Sequence, residues 1–157
     1  MLYKEITEQI IASAIMVHKT LGNGFQEVIY QRALEIEMPF HNLNFIREKV
    51  LPIFYRNIEI GTRRVDFFVE EKIMVEIKAL VKLEDVHLAQ AMNYCEAYNI
   101  EIGLLINFGA KNIEFKRIHN NKLINAKIEK EKSISVKSLV LIFFLKIHTL
   151  LSSFFFK

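Results

Sequence analysis

The chain has a single cysteine, two prolines, five glycines and no tryptophan in 157 residues. One thiol, Cys95, excludes an internal disulfide and suits a reducing compartment, so a cytoplasmic location is expected. It also offers no thiolate cluster for zinc. His18 and His87 stand at no metal-ligand spacing with Cys95 or with each other, and His41, His119 and His148 are isolated, which argues against a zinc site or a Cys–His nucleophile. A basic start followed by an unbroken apolar run is missing as well. Met1 to Glu8 is amphipathic and carries Glu5 and Glu8 early, unlike a signal peptide.

An excess of positive charge in the body of the chain is also lacking. The formal net charge is +3, but residues 1–119 hold 14 Lys and Arg against 16 Asp and Glu, a balance of −2. Residues 120–157 hold 7 Lys against 2 Glu, a balance of +5. Bulk phosphate neutralisation is therefore not written into the first 119 residues. A polyanion would have to be met locally, through a bound metal and placed bases such as Arg63, Arg64, Lys78 and Lys82.

What is present is apolar material, 52% of residues with a mean hydropathy of +0.19, enough to core one domain with an appendage. Ile6, Ile10, Ala14, Val17 and Leu21 recur at helical spacing and predict a helix over 3–20. Leu21-Gly22-Asn23-Gly24 breaks it. A second helix is expected from about Gln26 to Met38, ended by Pro39. Residues 45–55 read as a strand that Pro52 confines to an edge or a bulge. Arg56-Asn57 turns into the next strand at Ile58, with Gly61 read as a bend. A third helix is expected over Glu84–Tyr98, entered through acids that suit the positive end of its dipole. Residues 101–107 form a nearly continuous apolar run typical of a strand covered on both faces, and a short strand near Ile113–Ile118 closes the sheet. Strand–helix–strand passage needs a crossover, so a mixed sheet with helices packed on it follows.

After 119 the composition changes. Lys, Asn, Ile, Glu and Ser dominate 120–137, which reads as a linker. The hydrophobic tail 138–157 contains a run, 139–156, long enough to span a bilayer as a helix, which takes roughly 17–25 residues. Lys146 near its middle would cost about 2.5–3.5 kcal/mol there. Packing on the domain or on a partner is the first reading of this tail, and membrane association, peripheral or anchored, the second.

The most informative stretch is Arg64–Leu80. It reads as two strands about a charged turn, Glu70-Glu71-Lys72. Folded symmetrically about Glu71, the hairpin sets Asp66 opposite Glu76 and Arg64 opposite Lys78. Alternation then sends Val65, Phe67, Val69, Ile73, Val75 and Ile77 to one face, and Asp66, Glu76 and Lys78 to the other. Opposed side chains have Cβ atoms roughly 4.5–5.5 Å apart. Two carboxylates that close repel unless a cation or a shared proton lies between them. The plain alternative is a solvated strand face in which Arg64 and Lys78 offset the acids.

Asp66 with Glu76-Ile77-Lys78 resembles the core of the PD-(D/E)xK nuclease superfamily. Gly24-Phe25-Gln26-Glu27-Val28-Ile29-Tyr30 resembles the GxxExxY signature of a small prokaryotic family within it. Gln90-Ala91-Met92-Asn93-Tyr94 is similar to the QxxxY element of its exonuclease-type branch, and Gly103–Gly109 to its final strand and turn. The resemblance covers residues 1–119. It departs from the pattern at Val65, in the place of a proline that members of the superfamily often lack.

The resemblance implies a restriction-endonuclease-like α/β fold and a Mg²⁺- or Mn²⁺-dependent nuclease, on DNA more readily than RNA. It implies Asp66, Glu76, the Ile77 carbonyl and Glu27 as metal ligands, since Mg²⁺ takes oxygen donors and keeps several waters. Lys78 would orient the attacking water or stabilise the phosphate. Gln90 would hold Lys78 or the phosphate, and Arg64, Lys82 and Tyr94 would contact nucleic acid. Tyr94 and Tyr30 also suit simple packing. A homodimer stays open, as does a rival role: a catalytically inactive module of the same fold that binds nucleic acid or a protein.

Overall fold

Helical spacing at the start of the chain yields α1 (Lys4–Leu21), which buries Ile10, Ala14 and Val17 along one side. Gly22 and Gly24 end it at φ +71° and +109°, a region other residues rarely enter. The chain then turns into α2 (Glu27–Glu37). Pro39 stops α2 as expected, and a short 3₁₀ turn, Met38–His41, follows. Next come β1 (Phe45–Tyr55), β2 (Ile58–Val69), β3 (Ile73–Lys78), α3 (Asp85–Ala97), β4 (Ile102–Asn107), β5 (Glu114–His119) and α4 (Asn121–Phe155). The computed structural model describes residues 2–155, with side chains given through Leu139 and at Leu141, Ile142 and Leu145.

The five strands form one mixed sheet in the order β1-β2-β3-β4-β5. Only β3 and β4 run parallel, and α3 is the crossover that lets them. Arg47 and Val75 both lie directly opposite Phe67, so these three share a face, and Arg47 bonds to α2. Met74 falls on the other face, where it packs with Ala91 and Cys95 of α3. The sheet is thus covered on both sides, and every residue of β4 is buried, as its apolar run implies.

Arg56 and Asn57 both adopt positive φ and close a tight two-residue turn at Tyr55↔Ile58. Pro52 lies on the edge strand β1, next to a register shift between Ile53 and Phe54. Gly61 does not end β2: it pairs with Ile53, and the register shift beside it leaves Ile60 unpaired, an irregularity of the kind that bends a strand. The β2–β3 hairpin is symmetric about Glu71, with Val69↔Ile73 and Phe67↔Val75.

Two expectations about this hairpin are corrected. The ladder stops at Phe67↔Val75, so neither Asp66 with Glu76 nor Arg64 with Lys78 forms an opposed pair; Glu76 pairs with Leu105 and Lys78 with Asn107 of β4, and Arg64 with Val50. Nor does Val65 share a face with Phe67. It packs with Met74 on the α3 side, while Asp66 turns to the α2 side and meets Gln31. The cause lies on the neighbouring strand. Glu48 has φ +52°, and the β1–β2 pairing skips from Arg47↔Phe67 to Lys49↔Val65. One irregular rung breaks alternation on both strands.

The chain divides into two units, Met1–Asn121 and Lys122–Lys157. Residues 121–137, within the stretch read as a linker, form the first half of α4. Among the described residues no helix is long and apolar enough to cross a membrane. The expectation for 139–156 falls for the most part on side chains outside those described.

Candidate active site

Three devices hold the site in place. The first acts on the loop before α2. Tyr30 is fully buried and stacks on Phe108 with ring centroids 4.6 Å apart. Its hydroxyl donates to the Gly22 carbonyl at 2.9 Å and accepts from the Phe25 amide at 3.2 Å. That anchors the glycine turn and starts α2 at Glu27. The physical content of a Gly-x-x-Glu-x-x-Tyr spacing is therefore a turn, a helix start and the aromatic that pins both.

The second device follows β3. Asn107 is fully buried. Its amide nitrogen donates to the Leu80 carbonyl and to Glu114 Oε2, each at 2.9 Å. Its oxygen accepts from the amides of Leu80 at 2.8 Å and Gly109 at 3.2 Å. The Phe108 amide bonds the Lys78 carbonyl at 2.8 Å. The backbone just after Lys78 is thus clamped to the end of β4.

The third device is the fork where β2 leaves β3. Asp66 reaches into it, and its Oδ2 accepts the Ile77 amide at 2.7 Å. A side-chain oxygen takes the place of a strand carbonyl and satisfies a buried donor. Asp66 therefore sits in a notch between strands, where its charge reaches Glu76, rather than opposite it on one flat face as alternation implied. Glu76 is only 4% exposed, and its Oε1 is buried without a hydrogen-bond partner.

Electrostatics show what this arrangement costs. Burial pushes the Glu76 carboxyl up to about 7, with the nearby Asp66 charge adding to the rise and Lys78 and Arg63 opposing it. Asp66 is also raised, first by burial, while the Ile77 amide and Lys78 pull it back. The Lys78 charge opposes the rise of both acids.

A cleft of about 610 Å³ opens beside the fork, lined by Glu27, Gln31, Glu48, Arg64, Asp66 and Ala79 among others. Glu27 is exposed there and its charge is felt by both acids. Among the described residues no three His, Cys, Asp or Glu side chains come together closely enough to hold a metal by themselves. Any ion at this place would rest on the Asp66–Glu76 pair and oxygen atoms of other kinds. The residues present suit that: an orphaned buried carboxylate oxygen and a second acid whose charge reaches it.

The remaining expected residues are distributed as follows. Gln90 donates to the Tyr94 hydroxyl at 2.6 Å, so its amide is engaged within α3 rather than with Lys78. Tyr94 packs under the Arg63 guanidinium, 4.9 Å from its ring centre, and against Tyr98. Arg64 lines the cleft and pairs with Glu48 at 3.5 Å. Lys82 is exposed near Glu114, beside a different hollow with Leu83 and Lys116.

Two residues that the motifs do not contain belong here. Gln31 donates from Nε2 to Asp66 Oδ1 at 3.1 Å. Arg47 donates from Nε and Nη2 to Gln31 Oε1 at 3.3 and 3.0 Å, and from Nη1 to Glu35 at 2.6 Å. The signal for Gln31 was its position four residues after Glu27, which puts both on one side of α2. Nothing local in the sequence marks Arg47.

A mixed five-stranded sheet between helices, with an acid pair at the fork of its central hairpin, defines a restriction-endonuclease-like α/β domain. A family model described as the PD-(D/E)XK nuclease superfamily matches residues 4–118, and the chain belongs to that superfamily. Among solved structures it is similar to one titled "Crystal structure of SSO0001", at 18% identity and a TM-score of 0.49 over 83% of this chain and 69% of that one. It is also similar to an alkaline exonuclease (LHK-Exo) from Laribacter hongkongensis, at 12% identity and a TM-score of 0.41 over 85% of this chain and 92% of that one. No curated protein matches.

Proposed function

We propose that the chain is a nuclease of the GxxExxY kind that uses Mg²⁺ or Mn²⁺ to hydrolyse phosphodiester bonds, in DNA ahead of RNA. The observation that carries this reading is the buried, unpartnered Oε1 of Glu76 beside Asp66 at the β2–β3 fork. A buried carboxylate without a partner is costly, and a divalent ion is the partner that this oxygen set suits. Asp66, Glu76 and the Ile77 carbonyl would hold it, with Glu27 facing it across the cleft. Such an ion supplies Lewis-acid polarisation of a phosphate oxygen and a lowered pKa for bound water.

The chain's own residues would do the rest. The Lys78 ammonium donates to the attacked phosphate and holds its charge next to the acid pair. The Asn107 clamp fixes the backbone from which Lys78 projects. Arg64 and Arg63, at the base of the β1–β2 hairpin, offer cations to the flanking phosphates in a domain with little positive charge to spare.

Cleavage of linear duplex and single-stranded DNA with Mg²⁺ or Mn²⁺ tests the reading. Asp66→Ala and Lys78→Ala are each expected to lower the rate on the order of 10²–10³-fold, the scale for loss of one group acting on the reacting phosphate. Chelation is expected to abolish cleavage. Equal activity in all three proteins would reject the assigned residues. The negative body charge favours a second reading, a binding module without catalysis. Calorimetric absence of Mg²⁺ and Mn²⁺ uptake by the wild type would decide for it.

A further inference from the structure

The structure assigns Gln31 as the positioning residue of Asp66, a neutral amide that fixes how this acid presents its oxygens without cancelling its charge. This rests on the metal-site reading above and deepens it.

Gln31 is 6% exposed, and its two ends are not interchangeable. Arg47 can only donate, so Gln31 must turn its oxygen to Arg47 and its nitrogen to Asp66. The ionised Asp66 can only accept, which demands the same orientation from the other side. The amide direction is set by chemistry at both ends, leaving no equivalent flipped state. Arg47 is closed off in turn by its ion pair with Glu35.

The neutrality of the link matters. If Arg47 met Asp66 directly, a guanidinium would satisfy the carboxylate and compete with any cation for it. Gln31 stands between them and passes on orientation only. The second hold on Asp66 is also neutral, the Ile77 amide on Oδ2. Each oxygen of Asp66 therefore receives one uncharged donor and keeps acceptor capacity to spare. Two fixed points set the plane of the carboxylate and leave its negative charge facing the notch it shares with Glu76. Glu27, Gln31 and Glu35 follow one another at four-residue steps along α2, so a single helix side supplies a cleft acid, the orienting amide and the counter-charge of Arg47.

The test uses the full chain and Mn²⁺ as probe, with binding read by calorimetry, stability by melting, and cleavage as a third measure. Gln31→Met keeps the volume and removes the donor. It is expected to weaken Mn²⁺ binding by about 10- to 100-fold, the usual cost of losing a partner that orients a ligand. Its melting temperature is expected to fall by a few degrees, since Arg47 loses the acceptor of two hydrogen bonds, so binding is read at a temperature where both proteins are folded. Arg47→Lys, which keeps the charge but loses the fork, is expected to weaken Mn²⁺ in the same direction by a smaller factor. Unchanged Mn²⁺ affinity in Gln31→Met would reduce Gln31 to packing and overturn the assignment. Should that variant fail to fold, unchanged affinity in Arg47→Lys overturns it instead. A wild type that takes up no Mn²⁺ fails differently: it removes the metal-site reading itself, and this assignment with it.

Discussion

Glu76 carries the largest conflict in the molecule between folding and function. Its carboxyl lies at about 7 in the folded chain against an ordinary 4.5, because burial and Asp66 disfavour the charge. A raised acid stabilises the fold while it is protonated. The contribution is fully present below about 4.5 and is lost as pH rises through 7, with a size of ~3 kcal/mol. Asp66 is shifted in the same direction and adds to the loss. Metal-free wild type is therefore expected to lose stability between pH 4.5 and 8, and Glu76→Gln to lose much less. Urea midpoints in chelator at pH 5 and pH 8 measure this. At pH 8 the glutamine variant is expected to be the more stable protein and the inactive one. Adding Mn²⁺ should restore the wild type at pH 8 by mass action, and not the variant. A wild type and variant with parallel pH curves would mean that the Glu76 charge is already satisfied by the protein.

The β3–β4 junction sets the position of Lys78. A Cβ placed on Gly109 would stand 2.4 Å from the Ala79 carbonyl carbon and 2.5 Å from the Leu80 nitrogen. Backbone cannot yield as a side-chain end does. Gly109→Ala is expected to destabilise by about 1–3 kcal/mol, the range for overpacking a tight contact, and to lower cleavage more than Mn²⁺ affinity, since Lys78 moves while Asp66 and Glu76 stay. Loss of Mn²⁺ affinity in step with cleavage would show that the junction supports the acids instead. This element also shows what the sequence makes legible. Strands, turn and the first rungs of the β2–β3 hairpin follow from local alternation and are found as read, as far as Phe67↔Val75. The placement of Asp66 does not follow, because it depends on a left-handed Glu48 on another strand, a conformation glutamate does not favour locally. Gln31 is hidden for a related reason: a polar residue on an amphipathic helix looks solvated until its partner arrives from β2. Residues 121–137 read as a linker from their composition; holding neither Gly nor Pro, they fold as helix.

At the scale of the whole molecule, the nuclease-superfamily match ends at 118 and the first compact unit at Asn121. Asn120 is what seals that unit. It is buried, its side chain donates to the Cys95 carbonyl at 3.0 Å, and its amide bonds the Glu101 carbonyl at 2.9 Å. A chain cut after Asn121 keeps this seal, the whole sheet and every residue of the fork. It is expected to unfold in one cooperative step and to cleave DNA within about twofold of the full chain, as sites without shared partners behave independently. The second unit presents Leu139, Leu141 and Ile142 more than half exposed, and a run of exposed apolar side chains suits a partner or a lipid surface. The full chain is therefore expected to need detergent, or to float with vesicles, where the shortened chain does neither. If shortening abolishes cooperative unfolding, the second unit is part of the fold. If both chains stay soluble and neither floats, the apolar run packs within the protein.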